Sequence, residues 1–113
     1  MIQLVLVALL AAGSVRPPKR TARLLERGKS VYETHCIACH GERGEGDGVV
    51  APTLKPKPRN FRTQEFAQGS SVGQIYATLG TGVPGTGMAK FPQLSDDERW
   101  AVAFYVLRLR SAR

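Results

Sequence analysis

The sequence is poor in the residues that most often carry out chemistry. It contains two cysteines, two histidines, two methionines and one tryptophan among 113 residues. This length allows one small domain, which is only marginally stable without a disulfide, a metal or a bound cofactor. With two cysteines available, a disulfide can help only if neither thiol is engaged elsewhere. A large bound prosthetic group would instead supply the missing apolar contacts.

The chain also lacks any segment in which apolar and polar residues alternate, so we predict no β-sheet. Helical periodicity or capping signals occur in three stretches, residues 21–35, 71–80 and 93–113. Ser71 and Gln74 have the spacing of a capping box, and Gly80 suits the end of that helix. Ser95 and Glu98 have the same capping spacing. The loops between these helices are long for so small a domain, which indicates that something inside organises them.

No apolar run is long enough to cross a bilayer as a helix, which needs about 20 residues. The run from Leu4 to Ala12 is unbroken, and small residues precede a possible cleavage site after Gly13. We therefore predict a signal peptide over residues 1–13 and a linker over residues 14–21, although the first three residues carry no lysine or arginine. The alternatives are an uncleaved membrane anchor and a misassigned start. Export would place the protein in the bacterial periplasm.

Acidic residues are scarce, with 9 against 16 lysines and arginines, so the net charge is +7. Such a charge raises the possibility of nucleic-acid binding. No basic run is interleaved with aromatic residues, however, and an exported protein rarely meets nucleic acid. The charge instead indicates electrostatic steering towards an acidic protein partner, and solubility alone explains it equally well.

All the thiols and imidazoles lie in ETHCIACHG, residues 33–41. Cys36, Cys39 and His40 have the C-x-x-C-H spacing of c-type haem attachment, in which both thiols add to the porphyrin and the histidine binds iron. A thioredoxin-like redox pair would need a βαβ pattern, which is missing. A structural zinc site needs four ligands, and using His35 would crowd them onto barely one turn. We therefore predict one covalently bound haem c per chain.

An iron bound by one histidine needs a sixth ligand or keeps an open position. Met88 is the one credible thioether, because the other methionine is the initiator. It lies in GTGMAKF, a glycine-rich loop between two predicted helices that could approach a flat ligand closely. A methionine that only fills the core would usually sit in an apolar run. His35 is the alternative ligand, but tethering of its neighbour Cys36 would hold it away from the opposite face of the ring.

Four stretches of the chain carry a family resemblance: RGKSVYETHCIACHGERGEGDG, APTL, IYATLGTGVPGTGMAKF and LSDDERWAVAFYVLRL. Through them, residues 24–109 resemble the small bacterial class I cytochromes c. The resemblance implies an all-α cytochrome c fold, with three to five helices and long loops around one covalently bound haem. That domain would occupy residues 22–113.

The resemblance also implies roles around the haem. The family pattern P-x-L matches Pro52 and Leu54, so the Pro52 carbonyl would accept a hydrogen bond from His40 Nδ1–H, and Leu54 would pack on the porphyrin. Two sets of polar residues could lie around the haem, one at the propionates and one at its exposed edge. Propionate neutralisation would involve Arg59, Asn60, Arg62 and Tyr76, and an exposed haem edge would be ringed by Arg43, Lys55, Lys57 and Lys90.

Two further features bear on the comparison with the family. Gly28 and Tyr32 match the family's contact between its first helix and an aromatic residue of its last helix. Here that aromatic would be Trp100 or Tyr105. The family often has proline directly after the ligating methionine, whereas this chain has Ala89, which predicts a more mobile loop.

An iron held by histidine and methionine has no vacant position for a substrate, so the predicted function is one-electron transfer and not catalysis. The protein would shuttle electrons between periplasmic or membrane redox partners. If Met88 dissociates easily, the chain would instead be a gas-sensing or peroxide-reacting haem module. A third possibility is a cytochrome c subunit of a larger oxidoreductase complex.

Overall fold

The computed structural model describes residues 16–112. Its regular elements are α1 (Ala22–His35), α2 (Ile37–His40), a 3-10 helix (Ala51–Thr53), α3 (Val72–Thr81) and α4 (Asp96–Ser111). Within the described residues no strand occurs, so the predicted all-α fold is confirmed. No helix in this part of the chain is long and apolar enough to cross a membrane. The predicted signal peptide, residues 1–13, lies outside the described residues.

Side-chain hydrogen bonds mark where the long helices begin. The two predicted capping boxes, at Ser71 before α3 and at Ser95 before α4, both form. The end of α3 differs slightly from the prediction, because Gly80 is still helical. The chain leaves the helix at Gly82, whose φ of 67° lies in the left-handed region that favours glycine.

The first and last long helices cross at Gly28. A Cβ added there would lie 2.6 Å from the carbonyl carbon of Ala101 and 2.9 Å from Cβ of Tyr105. One turn later Tyr32 is fully buried, with its ring centroid 5.3 Å from that of Tyr105. Its hydroxyl donates to the Gly41 carbonyl at 2.6 Å. The predicted contact between α1 and the last helix is therefore made with Tyr105.

Trp100, the other predicted partner of α1, packs on α3 instead. Its ring stacks on Tyr76, with centroids 3.9 Å apart and planes 12° apart. The Arg99 guanidinium covers the same tyrosine ring at 3.9 Å, and Arg99 Nη2 donates to the Tyr76 carbonyl at 3.0 Å. These contacts fasten α3 to the first turns of α4, and the side of α4 that carries Val102 and Val106 borders a cleft.

Candidate cofactor site

The C-x-x-C-H motif lies where α1 runs into α2. Cys36 N–H donates to the Tyr32 carbonyl at 2.9 Å, and the Cys36 carbonyl accepts a hydrogen bond from His40 N–H at 2.9 Å. The three residues Cys36, Cys39 and His40 therefore share one turn, and all of them line the same cleft. Both cysteines are free thiols. The local backbone thus gives the motif the compact geometry that attachment to one edge of a macrocycle requires.

The cleft measures about 380 Å³ and lies between this turn, α3, α4 and the loops. Its lining includes six of the eight predicted cofactor-binding residues, namely Cys36, Cys39, His40, Leu54, Arg59 and Met88. Much of the remaining lining is apolar, with Phe61, Ile75, Leu79, Val83, Phe91, Val102 and Val106. Two thiols, an imidazole and a thioether around an apolar space form a donor set that fits a covalently bound haem.

The hydrogen-bond partner of His40 differs from the prediction. His40 Nδ1 lies 3.1 Å from the carbonyl oxygen of Arg59, and the prediction for Pro52 was therefore wrong. Pro52 belongs to the 3-10 helix, is exposed and does not line the cleft; the loop beyond it runs back past the imidazole. A carbonyl still engages Nδ1, which leaves the lone pair on Nε2. Burial lowers the pKa of His40, and the contact with Arg59 partly offsets this effect.

Phe61 forms part of the site and was missed at the level of sequence. Its ring is 7% exposed and stacks on the His40 ring, with centroids 4.4 Å apart and planes 24° apart. The backbone of Phe61 is held on both sides, by the Gly44 carbonyl at 2.7 Å and by Arg110 Nη1 at 2.6 Å. An aromatic residue inside a polar, proline-rich loop was the signal available, but nothing in the local sequence connects it to His40.

The thioredoxin-like and zinc interpretations of the motif both lose support. Burial, with a smaller contribution from the neighbouring Cys39, raises the pKa of the Cys36 thiol to about 12. Reactive redox cysteines need the opposite, a lowered pKa that populates the thiolate. Between residues 16 and 112, no group of three or more His, Cys, Asp or Glu side chains could hold a metal ion. A structural zinc therefore lacks the ligands it needs among these residues.

The loop that carries Met88 is tied together by its own hydrogen bonds. Val83 N–H donates to the Met88 carbonyl at 2.9 Å, and the Thr86 hydroxyl donates to the Val83 carbonyl at 2.7 Å. Met88 N–H in turn donates to Thr86 Oγ1 at 3.1 Å. The Met88 side chain is half-buried and lines the cleft. These bonds cross-link the loop, in which Ala89 stands where the family often has proline.

Tyr76 lies away from the cleft, contrary to its predicted place beside the haem propionates. On α3 the cleft is lined by Ile75 and Leu79, whereas the Tyr76 ring stacks on Trp100. The Tyr76 hydroxyl donates to Asp96 Oδ1 at 2.8 Å, and this hydrogen bond is the main reason that the pKa of Tyr76 is raised. Helix α3 turns this position towards α4, where Tyr76 contacts Trp100 and Asp96.

Of the other residues predicted to lie beside the haem, some line the cleft and some do not. Lys57 and Arg59 line the cleft, as does the apolar side chain of Leu54. Arg62 instead donates to a backbone carbonyl beyond the end of α4. His35, the alternative iron ligand, also lines the cleft. The basic residues nearest to the site are therefore the pair that follows the 3-10 helix.

The chain is similar to known proteins over most of its length. The sequence model of the cytochrome c family matches residues 25–110. The chain is 31% identical over 88 residues to the CcoP subunit of the cbb3-type cytochrome c oxidase of Azospirillum brasilense, covering 78% of this chain and 29% of that protein. It is 32% identical over 85 residues to thiosulfate dehydrogenase of Thiomonas intermedia (strain K12), covering 71% and 25%. The chain thus spans less than a third of the length of these relatives.

Solved structures show the same likeness. A chain of the Kuenenia stuttgartiensis reducing HAO-like protein complex superposes with a TM-score of 0.77 and 38% identity, covering 84% of this chain and 47% of that one. Cytochrome c6 of the diatom Phaeodactylum tricornutum superposes with a TM-score of 0.57 and 26% identity, covering 78% and 95%. The similarity therefore extends over nearly all of the cytochrome c6 chain and over about half of the chain from the HAO-like complex.

Proposed function

The chain belongs to the cytochrome c family and carries a covalently attached haem c, and from this premise we propose that it is a single-electron carrier with His40 and Met88 as axial ligands. The observation that carries the proposal is the convergence of Cys36, Cys39, His40 and Met88 on one apolar cleft. When bound, the haem supplies an iron that cycles between ferrous and ferric states. With both of these side chains bound to the iron, no position would be left for a substrate.

Each of these side chains has a separate task. Cys36 and Cys39 would tether one edge of the porphyrin to a single helical turn. His40 would offer Nε2 to the iron, because its Nδ1 is engaged by the Arg59 carbonyl. Met88 would offer its sulfur from the loop between α3 and α4. The apolar walls of the cleft would shield the haem from water, and such burial together with a thioether ligand would raise the reduction potential.

The partner that we propose is a redox protein with an acidic docking surface, met in the bacterial periplasm. A net charge of +7 and two basic residues at the cleft, Lys57 and Arg59, support an acidic partner. No nucleic acid takes part in this proposal. Export directed by residues 1–13, or a membrane tether formed by them, belongs to the same proposal.

A second role is favoured by the comparisons. The relatives include an oxidase subunit and a dehydrogenase more than three times as long as the matched segment. The chain could accordingly act as the haem module of a larger oxidoreductase, passing electrons within a complex. Its haem would carry out the same one-electron transfer in either setting, and the two roles differ in whether a stable partner copurifies with the chain.

Axial ligation is tested by replacing Met88 with alanine in the holoprotein. The ferric wild type should show the near-red sulfur-to-iron absorption band, and Met88→Ala should abolish it and allow the reduced protein to bind carbon monoxide. Leu54→Ala is the matched control, since it also shortens a side chain of the cleft wall but leaves the sulfur in place. A wild type without the band that binds carbon monoxide readily would favour the gas-sensing or peroxide-reacting interpretation.

Attachment and export are tested together by the intact mass of the mature protein. Two thioethers should keep one haem on the chain under denaturing conditions, and replacing Cys36 and Cys39 by alanine should release it. The same spectrum reports the start of the mature chain. A mass that still includes the first 13 residues would contradict cleavage after Gly13 and favour the uncleaved anchor.

A further inference from the structure

We propose that Arg110, near the end of α4, is a positioning residue for His40, acting through the loop of residues 59–66 that supplies both neighbours of the imidazole. The inference rests on the proposed ligation of iron by His40. Arg110 does not line the cleft, and its side-chain hydrogen bonds go to this loop.

Arg110 holds the loop by several contacts at once. Its Nη1 donates to the Phe61 carbonyl at 2.6 Å and to the Gln64 carbonyl at 2.8 Å. Its guanidinium lies over the Phe66 ring, 4.8 Å from the centroid, and its Nη2 is 3.7 Å from Glu65 Oε1. The Arg110 side chain is only 26% exposed, so water cannot fully replace these contacts. Removing the guanidinium would leave two backbone carbonyls without their donor.

The segment held in this way contains both groups that orient His40. The Phe61 ring stacks on the imidazole with centroids 4.4 Å apart, and the Arg59 carbonyl lies 3.1 Å from His40 Nδ1. Because Arg59 is two residues before Phe61, a constraint on the Phe61 backbone also restricts where the Arg59 carbonyl points. The other end of this constraint is the hydrogen bond from Phe61 N–H to the Gly44 carbonyl at 2.7 Å.

This arrangement links the last helix to the electronic state of the iron. A hydrogen bond at Nδ1 fixes the plane of a metal-bound imidazole and increases its strength as a donor. Arginine suits the position because a planar guanidinium can stack on Phe66 while its nitrogens point to separate acceptors. Lysine could keep a charge-assisted bond to the carbonyls but would lose the stacking face. We therefore expect lysine to replace Arg110 only in part.

The experiment compares Arg110→Gln, Arg110→Lys and the control Arg108→Gln in the haem-loaded protein. Arg108 is exposed in the same part of α4, and its replacement by glutamine removes the same positive charge. Proton NMR of the reduced state gives the exchange rate of the His40 Nδ1 proton, with the Tyr32 amide as an internal reference for global opening. We expect Arg110→Gln to accelerate exchange at His40 about tenfold, close to the net worth of one hydrogen bond.

Arg110→Lys should give an intermediate rate, and Arg108→Gln should match the wild type. In the oxidised protein, the haem methyl shifts, which report the orientation of the axial imidazole plane, should change in the same order. An unchanged rate at His40 in Arg110→Gln overturns the inference. Equal acceleration at His40 and at the Tyr32 amide also overturns it, because the role would then be general stabilisation. If the glutamine variant does not fold, the lysine variant decides by the same criteria.

Different results would contradict the ligation of iron by His40 and the role of Arg110. If the wild type shows no His40 ring signals shifted by the haem, the ligation by His40 is wrong, and the inference about Arg110 falls with it. If those signals are present in the wild type and identical in the Arg110 variants, the ligation stands and the inference alone is wrong.

Discussion

Replacing Gly28 by alanine tests the crossing of α1 and α4 on which the fold depends. The new methyl group would lie 2.6 Å from the carbonyl carbon of Ala101 and 2.9 Å from Cβ of Tyr105. Carbon atoms in contact are normally about 3.5–4.0 Å apart, so the two helices must separate by roughly 1 Å. The obstructing atoms are the backbone carbonyl oxygen and carbon of Ala101 and the Cβ of Tyr105, and no side-chain rotation can move them away.

Two effects of opposite sign set the size of the change. Alanine is better than glycine in a helix interior by about 1 kcal/mol. Overpacking costs about 1–3 kcal/mol, and a clash with backbone places this case near the upper end, at about 3 kcal/mol. The expected net decrease in the free energy of unfolding is therefore about 2 kcal/mol. In a domain of this size such a loss lowers the melting temperature by roughly 8–16 °C.

The measurement is thermal unfolding of the holoprotein, followed by circular dichroism at the helix band. Gly73→Ala is the matched control, because a Cβ added there, also in a helix, would meet nothing within 4 Å. Its stability should be unchanged or higher by up to about 1 kcal/mol. If Gly28→Ala melts at or above the temperature of the wild type, the close helix crossing described here is refuted.

Two other predictions concern the loops and caps. Thr86→Val removes the hydroxyl that joins Val83 to Met88, so the near-red band should weaken and the reduced protein should bind carbon monoxide more tightly, while Thr86→Ser should behave like the wild type. An unchanged valine variant would mean that other contacts hold the loop. The hydrogen bond from the Ser95 backbone N–H is the main cause of the lowered pKa of Glu98. The ionised carboxylate therefore stabilises the fold above its ordinary pKa of about 4.3. This contribution is lost as pH falls through the lower pKa of Glu98 in the folded protein. Glu98→Gln should therefore lose less stability between pH 7 and pH 3 in denaturant titrations, and identical pH dependence in both proteins would contradict this assignment.

The structure also explains how the chain manages without a proline after Met88. The Thr86 hydroxyl acts as donor to one residue of the loop and acceptor from another, so a single side chain closes the turn. The more mobile loop expected from Ala89 stays a prediction. The hydrogen bonds of Thr86, two residues before Met88, are contacts that the sequence does not reveal by itself.

The features that could be read from the sequence are those whose interactions close within a few residues. The spacing of Cys36, Cys39 and His40 corresponds to one helical turn, and the capping boxes at Ser71 and Ser95 each span three residues. Local hydrogen bonding is nearly independent of the rest of the chain, so residue type and spacing were enough. The all-α fold followed in the same way, from apolar periodicity.

What the tertiary structure alone decided involves residues that are distant in the chain. Which carbonyl meets His40 depends on the path of the loop after the 3-10 helix, and that path brings Arg59 to the ring in place of Pro52. Tyr76 lies on the face of α3 that packs against α4, and this packing keeps it away from the cleft. The bond between Arg110 and Phe61 joins residues 49 positions apart. Such contacts depend on how helices pack, and packing is a property of the whole chain that no short pattern contains.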